Sequence, residues 1–116
     1  MEILETEKGA ITLFNDDKIV IRNAGSFLDL LFSTESDTIA LSRENFDPSF
    51  YDLKTGLAGD ILQKLSLYKK RLIILGDFEQ VTSRSLHDLI VECNRTGQAI
   101  FTGELEKAIS LLKKTY

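Results

Sequence analysis

The residues of this chain that could do chemistry are concentrated in the segment 45–65, N-F-D-P-S-F-Y-D-L-K-T-G-L-A-G-D-I-L-Q-K-L. Asp47 and Pro48 are typical of a helix start, and Ser49 follows at once. A hydroxyl in the first turn of a helix is a candidate phospho-acceptor, because free N–H groups and the helix dipole would stabilise an added phosphate. The alternative is a serine that only caps or decorates the helix.

Two glycines of this segment, Gly56 and Gly59, are predicted to lie inside an amphipathic helix that begins at Pro48. Each costs about 1 kcal/mol relative to alanine in a helix interior, so the arrangement requires something that approaches the helix closely. At a spacing of three residues, both glycines lie on one side of the helix. Either that side packs closely on the sheet, or the glycines break the helix in two. The functional alternative is a flat backbone surface that a partner chain can approach. The apolar stripe of the same helix is Phe50, Leu53, Leu57, Ile61 and Leu65.

A second set of candidates follows the predicted strands, because ligands in open α/β sheets collect at the carboxyl ends of parallel strands. Asp77 could be a catalytic or metal-binding carboxylate, or it only makes a turn and satisfies loose backbone N–H groups. Together with Asp47, Ser83 and Arg84, it could surround a phosphate or another small anion. The same strand ends also carry Arg43, Glu44, Phe78 and Thr102.

The single histidine and the single cysteine are weaker candidates for a catalytic or metal-binding role. His87 is expected beside the apolar stripe of its helix, pointing to solvent or to a helix boundary. Cys93 is expected on the buried face of that helix as a small core residue. A zinc site needs three or four His or Cys ligands, so the sequence predicts no metal site, and no catalytic residue or cofactor is predicted either.

The composition limits the class of protein. A chain of 116 residues with 43% hydrophobic content fits one compact domain, residues 1–116, with its own core. A net charge of −4 argues against a nucleic-acid partner. One cysteine suits a reducing compartment, and the acidic start of the chain lacks the apolar core of a secretion signal. No apolar run approaches the roughly 20 residues needed to cross a bilayer, so we expect a cytoplasmic protein without a membrane role.

The elements that must position these residues alternate along the chain. Strands are predicted at 3–6, 10–14, 38–41, 72–75 and 99–101, with a short strand-like run at 19–21. Helices are predicted to start at Asn23, at Asp47, at Ser83 or Ser85, and at Thr102. The first should reach about residue 34, and Gly97 should end the third. This order predicts an α/β fold with a mixed, mostly parallel sheet of four to five strands, about four helices, right-handed crossovers and an antiparallel first hairpin.

The run F-Y-D-L-K-T-G-L-A-G-D-I-L-Q-K-L, followed by I-I-L-G-D-F and T-S-R-S-L-H-D-L-I, resembles the bacterial family called domain of unknown function 4180. The likeness covers nearly the whole chain and is strongest over residues 46–97. That family has no assigned activity, so the resemblance implies a fold more than a function.

The order of elements also looks like the STAS fold, the domain of sulfate transporters and anti-sigma factor antagonists. In that family a strand ends in a loop of the type F-I-D-S-S-G-L-G, whose serine is phosphorylated by a partner kinase. Phe46, Asp47 and Ser49 match its Phe, Asp and second Ser, whereas the residues on either side of Ser49 depart from it. A second alignment makes Thr55 the acceptor, although Ser49 fits the distance from the preceding strand better.

The STAS resemblance implies a small, non-enzymatic regulatory module that works by protein–protein interaction or by self-association. Phosphorylation of Ser49 would break the contact by adding about −1.5 to −2 charges to it. The implied partner contacts are Asp47, Tyr51, Lys54, Thr55 and Gly56. The alternative is a small-molecule or anion-binding domain, or an enzyme, that uses the rim around Asp47 and Asp77. A concave pocket at that rim would favour the alternative, and a flat or convex surface would favour the interaction module.

Overall fold

The computed structural model describes residues 1–114, which form a five-stranded sheet flanked by four α-helices. The strands are β1 (Glu2–Thr6), β2 (Gly9–Leu13), β3 (Thr38–Ser42), β4 (Arg71–Leu75) and β5 (Ala99–Thr102). The helices are α1 (Ala24–Leu31), α2 (Leu57–Tyr68), α3 (Arg84–Thr96) and α4 (Leu105–Leu111). The predicted mixed, mostly parallel sheet with its helices is therefore confirmed.

The strands lie side by side in chain order, β1-β2-β3-β4-β5. β1 and β2 form the antiparallel hairpin expected from the sequence, and the pairs from β2 to β5 are all parallel. Their carboxyl ends therefore lie together at one end of the sheet, which we call the carboxyl edge. Ligands of open α/β sheets bind at this edge.

The two faces of the sheet are covered differently. Side chains alternate along each strand, so Leu72 and Ile74 of β4 face one side and Ile73 faces the other. The first side packs against α1, α2 and α3, which contribute Phe27, Ile61 and Ile90 among others. On the second side, the strand residues Ile11, Ala40, Ile73 and Ile100 pack against α4. The α4 side contributes Ala108 and, just beyond the helix, Leu112. Within residues 1–114, the second face is therefore covered by one short helix.

Two cations hold the end of α4 in place. The Lys8 ammonium donates to main-chain carbonyl oxygens of Ile109 (3.1 Å) and Ser110 (3.3 Å), and also to that of Leu112. Arg71, only 1% exposed, donates to the carbonyl oxygens of Lys8 and Lys113. These bonds tie the segment after α4 to the first hairpin and to the start of β4.

The predicted second helix is wrong over its first half. Residues Pro48–Phe50 and Leu53–Thr55 form two separate single turns of 3₁₀ helix, and α2 begins only at Leu57. The Asp47 and Asp52 carboxylates accept the N–H groups two residues ahead, at 3.0 and 3.2 Å. Such local bonds compete with a continuous helix and favour turns.

The other helix boundaries shift by a few residues. Ser83, one of the two predicted caps, starts α3 by accepting the N–H of Leu86 at 3.2 Å. Thr102 does not cap α4, because it pairs with Leu75 as the last residue of β5. Helix α1 ends at Leu31 rather than near residue 34, and the run at 19–21 contributes only an isolated bridge between Ile21 and Phe46.

No helix within residues 1–114 combines the length and the apolar character required to span a membrane.

Candidate functional site

The carboxyl edge opens into a groove of about 780 Å³ at the ends of β4 and β5, between α3 and α4. We call it the strand-end groove. Its volume falls within the roughly 300–1,000 Å³ range of small-molecule sites. The residues that line it are Gly76, Asp77, Phe78, Glu79, His87, Ile90, Val91, Phe101, Thr102, Gly103 and Lys107.

The apolar part of the groove comes from β5, from α3 and from the connection that follows β4. The rings of Phe78 and Phe101 meet edge to face with their centroids 5.3 Å apart. Ile90 and Val91 extend this surface along α3. Val91 is 52% exposed, which is high for an aliphatic side chain on a helix that packs against a sheet. The exposed Val91 side chain forms part of the apolar lining of the groove.

The charged part of the groove carries both signs. Asp77 and Glu79 lie in the connection between β4 and α3, whereas Lys107 lies on α4. The Asp77 carboxylate accepts the backbone N–H of Glu79 at 3.0 Å, so it also makes the turn that the sequence analysis considered. Within residues 1–114, the Glu79 carboxylate and the Lys107 ammonium form neither an ion pair nor a hydrogen bond.

Arg43 does not line the groove, but it contacts two residues that do, Phe78 and Asp77. Its guanidinium carbon lies 5.0 Å from the ring centroid of Phe78 and 5.5 Å from that of Tyr51, and its Nη1 donates to the carbonyl oxygen of Asp77. Such cation–π contacts stabilise an exposed site by about 0.5–1 kcal/mol each. A Cβ at Gly76 would lie 2.6 Å from the Arg43 Cβ, so only glycine allows this approach.

The predicted phospho-acceptor is engaged by its neighbour. The half-buried Ser49 donates from both its hydroxyl (2.6 Å) and its N–H (3.0 Å) to the Asp47 carboxylate. These two bonds, the hydroxyl first, lower the pKa of Asp47. Ser49 also lies in a three-residue turn, so the helix-dipole argument for a phosphate at this position does not apply. Its role as an acceptor stays a prediction.

The other predicted partner contacts divide into two kinds. The Tyr51 hydroxyl donates to the carbonyl oxygen of Arg43 at 2.7 Å, and burial raises the pKa of Tyr51. The Thr55 hydroxyl bonds to the carbonyl oxygens of Ser49 (2.6 Å) and Asp52 (2.9 Å). These two side chains hold their own segment together. Thr55 is nevertheless exposed, as are Lys54 and Gly56.

The two glycines do not mark a close approach within the chain. Gly56 lies between the second 3₁₀ turn and α2 with φ at +81°, a left-handed conformation that favours glycine. Gly59 is inside α2, yet no atom lies within 4 Å of the position of a Cβ at either residue. Close packing on the sheet is therefore wrong, whereas the alternative of a break in the predicted helix is confirmed at Gly56. Their approach by a partner chain stays a prediction.

The predicted anion rim is only partly assembled. Asp77 lines the strand-end groove, but Asp47 does not, and Ser83 and Arg84 line a separate hollow of about 310 Å³ beside the start of α3. His87 borders both cavities. Sequence reasoning missed Val91 and Lys107 as site residues. The signal for Val91 was its place off the apolar stripe of α3, and Lys107 gave none.

Cys93 is a core residue, as predicted. It is 7% exposed, and burial raises its pKa to about 11, which keeps the thiol protonated at neutral pH. Among residues 1–114, no three His, Cys, Asp or Glu side chains are grouped in a way that could hold a metal ion.

No curated protein and no solved structure matches this chain. The family model described as domain of unknown function DUF4180 matches residues 6–112. This chain therefore belongs to the DUF4180 family, as the resemblance of its sequence predicted.

Proposed function

We propose that this chain binds a small organic molecule in the strand-end groove. The observation that carries the proposal is a concavity of about 780 Å³ at the carboxyl edge of a mostly parallel sheet. Small-molecule sites are concave, mainly apolar, and equipped with a few convergent polar groups. The groove is concave and has convergent charged groups, and about half of its lining is apolar, from its two phenylalanines and the aliphatic residues of α3.

The needs of folding explain the buried groove residues Phe101 and Ile90 but not the exposed ones. Val91 contributes little to the core because about half of it is exposed. The side-chain charges of Glu79 and Lys107 make no bond within residues 1–114 that would stabilise the fold. Side chains that the fold does not use are available to a ligand.

The test is a screen of small molecules against the ¹⁵N-labelled chain, followed by amide chemical shifts. We expect some compounds to shift the amides of Asp77, Thr102 and Gly103 together. Val91→Arg should abolish these shifts, because it places a long charged side chain in the groove at a position that tolerates exposure. Val20→Arg is the matched control, since Val20 is 39% exposed and lies outside the groove. A complete screen without groove shifts, or hits that Val91→Arg leaves intact, would refute the proposal.

A second candidate is a STAS-like regulatory module that contacts a protein partner through the segment 47–56. It is supported by the exposure of Lys54 and Gly56, and by the open space around the Gly56 backbone. If Ser49 is the switch, Ser49→Asp should abolish capture of the partner from native cells, whereas Ser49→Ala should preserve it. Equal capture by both variants would rule out this switch.

A further inference from the structure

Charges of opposite sign reach the strand-end groove from opposite sides. Asp77 and Glu79 follow β4 and precede α3, which packs on one face of the sheet. Lys107 belongs to α4, which packs on the other face. The groove runs across the end of the sheet between these two helices. Its negative and positive groups are therefore supplied by different layers of the fold.

These charges do not neutralise one another. No ion pair joins Lys107 to Asp77 or to Glu79, and the described residues give the Lys107 ammonium no other hydrogen-bond acceptor. Asp77 uses one carboxylate oxygen for the Glu79 N–H, which fixes its position and leaves the second oxygen available. The groove thus offers acceptors on one side and a donor cation on the other.

An apolar surface accompanies the two charged sides. Val91 is 52% exposed and Phe78 is half-buried, and both line the groove. Phe101 and Ile90 also line it but are almost fully buried, so they add little accessible surface. The Phe78 ring contacts the Phe101 ring and the Arg43 guanidinium. This surface suits a hydrocarbon or aromatic body, which gains about 25 cal/mol for each Å² of apolar area that it removes from water.

We infer that the groove takes a zwitterionic small molecule with an apolar body, of the chemical class of an aromatic or aliphatic amino acid. Its ammonium group would face Asp77 and Glu79, and its carboxylate would face Lys107. This inference rests on the proposed function of the groove. A ligand with one charge would satisfy one side and leave the other side facing a like charge or none, whereas a zwitterion forms charge-assisted hydrogen bonds with both.

Three probes with the same phenyl body separate the two charges. They are L-phenylalanine, which carries both, phenethylamine, which carries only the cation, and 3-phenylpropionate, which carries only the anion. Each is titrated into the ¹⁵N-labelled chain at pH 7 while the amides of Asp77, Thr102 and Gly103 are followed. We expect L-phenylalanine to bind about tenfold tighter than either single-charge probe, since each charge-assisted bond is worth roughly that factor.

Two variants assign the ends of the ligand. Lys107→Gln should reduce the affinity for L-phenylalanine to about that for phenethylamine, and leave phenethylamine itself unaffected. Glu79→Gln should weaken L-phenylalanine and phenethylamine but not 3-phenylpropionate. Glu106→Gln is the control, because Glu106 is an exposed residue of α4 that does not line the groove.

The outcomes separate this inference from the proposed function. If a single-charge probe binds as tightly as L-phenylalanine, or if Lys107→Gln changes nothing, the zwitterionic class is wrong and groove binding stands. The same holds if all three probes fail while another compound gives groove shifts that Val91→Arg abolishes. If no compound of any class shifts the groove amides, both proposals are refuted.

Discussion

The strand-end groove and the segment 47–56 lie at the same end of the sheet, yet they use their polar side chains in opposite ways. In the segment, Asp47, Tyr51 and Thr55 bond to their own or neighbouring residues. In the groove, Asp77 makes one local bond of this kind, but the side chains of Glu79 and Lys107 make none within residues 1–114. Polar residues close together in sequence are well placed to shape their own backbone. Residues that converge from distant elements have no local use, so they are better candidates for binding.

Arg43 is the physical link between the two regions. Its guanidinium contacts Tyr51 of the segment and Phe78 of the groove, and its backbone carbonyl accepts the Tyr51 hydroxyl. A change at Arg43 should therefore reach both regions, whereas a change inside either region should remain local.

The largest expected effect comes from Gly76→Ala, which should disturb both regions together. The added Cβ would lie 2.6 Å from the Arg43 Cβ, so Arg43 or the backbone must move. Overpacking of this kind lowers the free energy of unfolding by about 1–3 kcal/mol. Urea denaturation measures this loss, and amide shifts should change near both Tyr51 and Phe78.

Gly103→Ala is the control for that experiment. Its nearest neighbour would be the carbonyl oxygen of Gly76 at 3.5 Å, an ordinary contact distance. We expect an unfolding free energy close to that of the parent chain. If Gly76→Ala and Gly103→Ala lower the free energy of unfolding equally, Arg43 does not pack closely against Gly76.

Intermediate effects of opposite sign are expected at Gly56, which ends the segment 47–56, and at Gly59 in α2. Gly56→Ala should destabilise the fold by about 1–2 kcal/mol, because alanine at φ +81° places its Cβ too close to the backbone. Gly59→Ala should stabilise it by about 1 kcal/mol, because the site is helical and open. Thermal and urea unfolding of the two variants give the signs. A loss at Gly59 comparable to that at Gly56 would indicate that another chain packs there.

The smallest effect should be the pH dependence that Asp47 contributes to stability. Its bonds with Ser49 lower its pKa below the ordinary value of 3.8 in the folded chain. The folded state therefore gains stability above pH 3.8, and this gain is lost as the pH falls through the lower folded pKa. Asp47→Asn should be less stable than the parent at pH 7, and the difference should shrink on acidification.

Urea unfolding at several pH values between neutrality and about pH 3 measures this difference. Asp17→Asn is the control, because the Asp17 carboxylate makes no hydrogen bond within residues 1–114. A difference between parent and Asp47→Asn that stays constant across the range would mean that the Ser49 bonds do not depend on the charge.

The sequence predicted the framework of this fold better than its candidate site. The apolar run of β4 and the alternation of strands with helices depend on periodicity, which is local and survives folding. The break before α2 was only one of several alternatives for the two glycines, because Asp47, Asp52 and Gly56 are equally compatible with a helix start and with successive turns. The choice between them depends on how the segment packs, which no short window contains.

The groove was only partly predicted, for a different reason. It depends on the spacing between α3 and α4, which pack on opposite faces and are separated by a strand in the chain. The place of Val91 off the apolar stripe of α3 indicates exposure but not a shared cavity, and Lys107 has no unusual neighbour in sequence. Asp77, Phe78 and Thr102 were identified beforehand, through the rule that strand ends bind ligands, and all three line the groove.

The seven-residue helix α4 covers one face of the sheet, and this affects how the protein can partly unfold and aggregate. If α4 detaches, Ile73 and Ile100 become exposed at once, and two opened molecules can aggregate through this surface. The same event removes Lys107 and destroys the groove. A ligand in the groove would bind only the form in which α4 is docked. It should therefore slow aggregation under mild denaturing conditions in proportion to the fraction of grooves that it occupies.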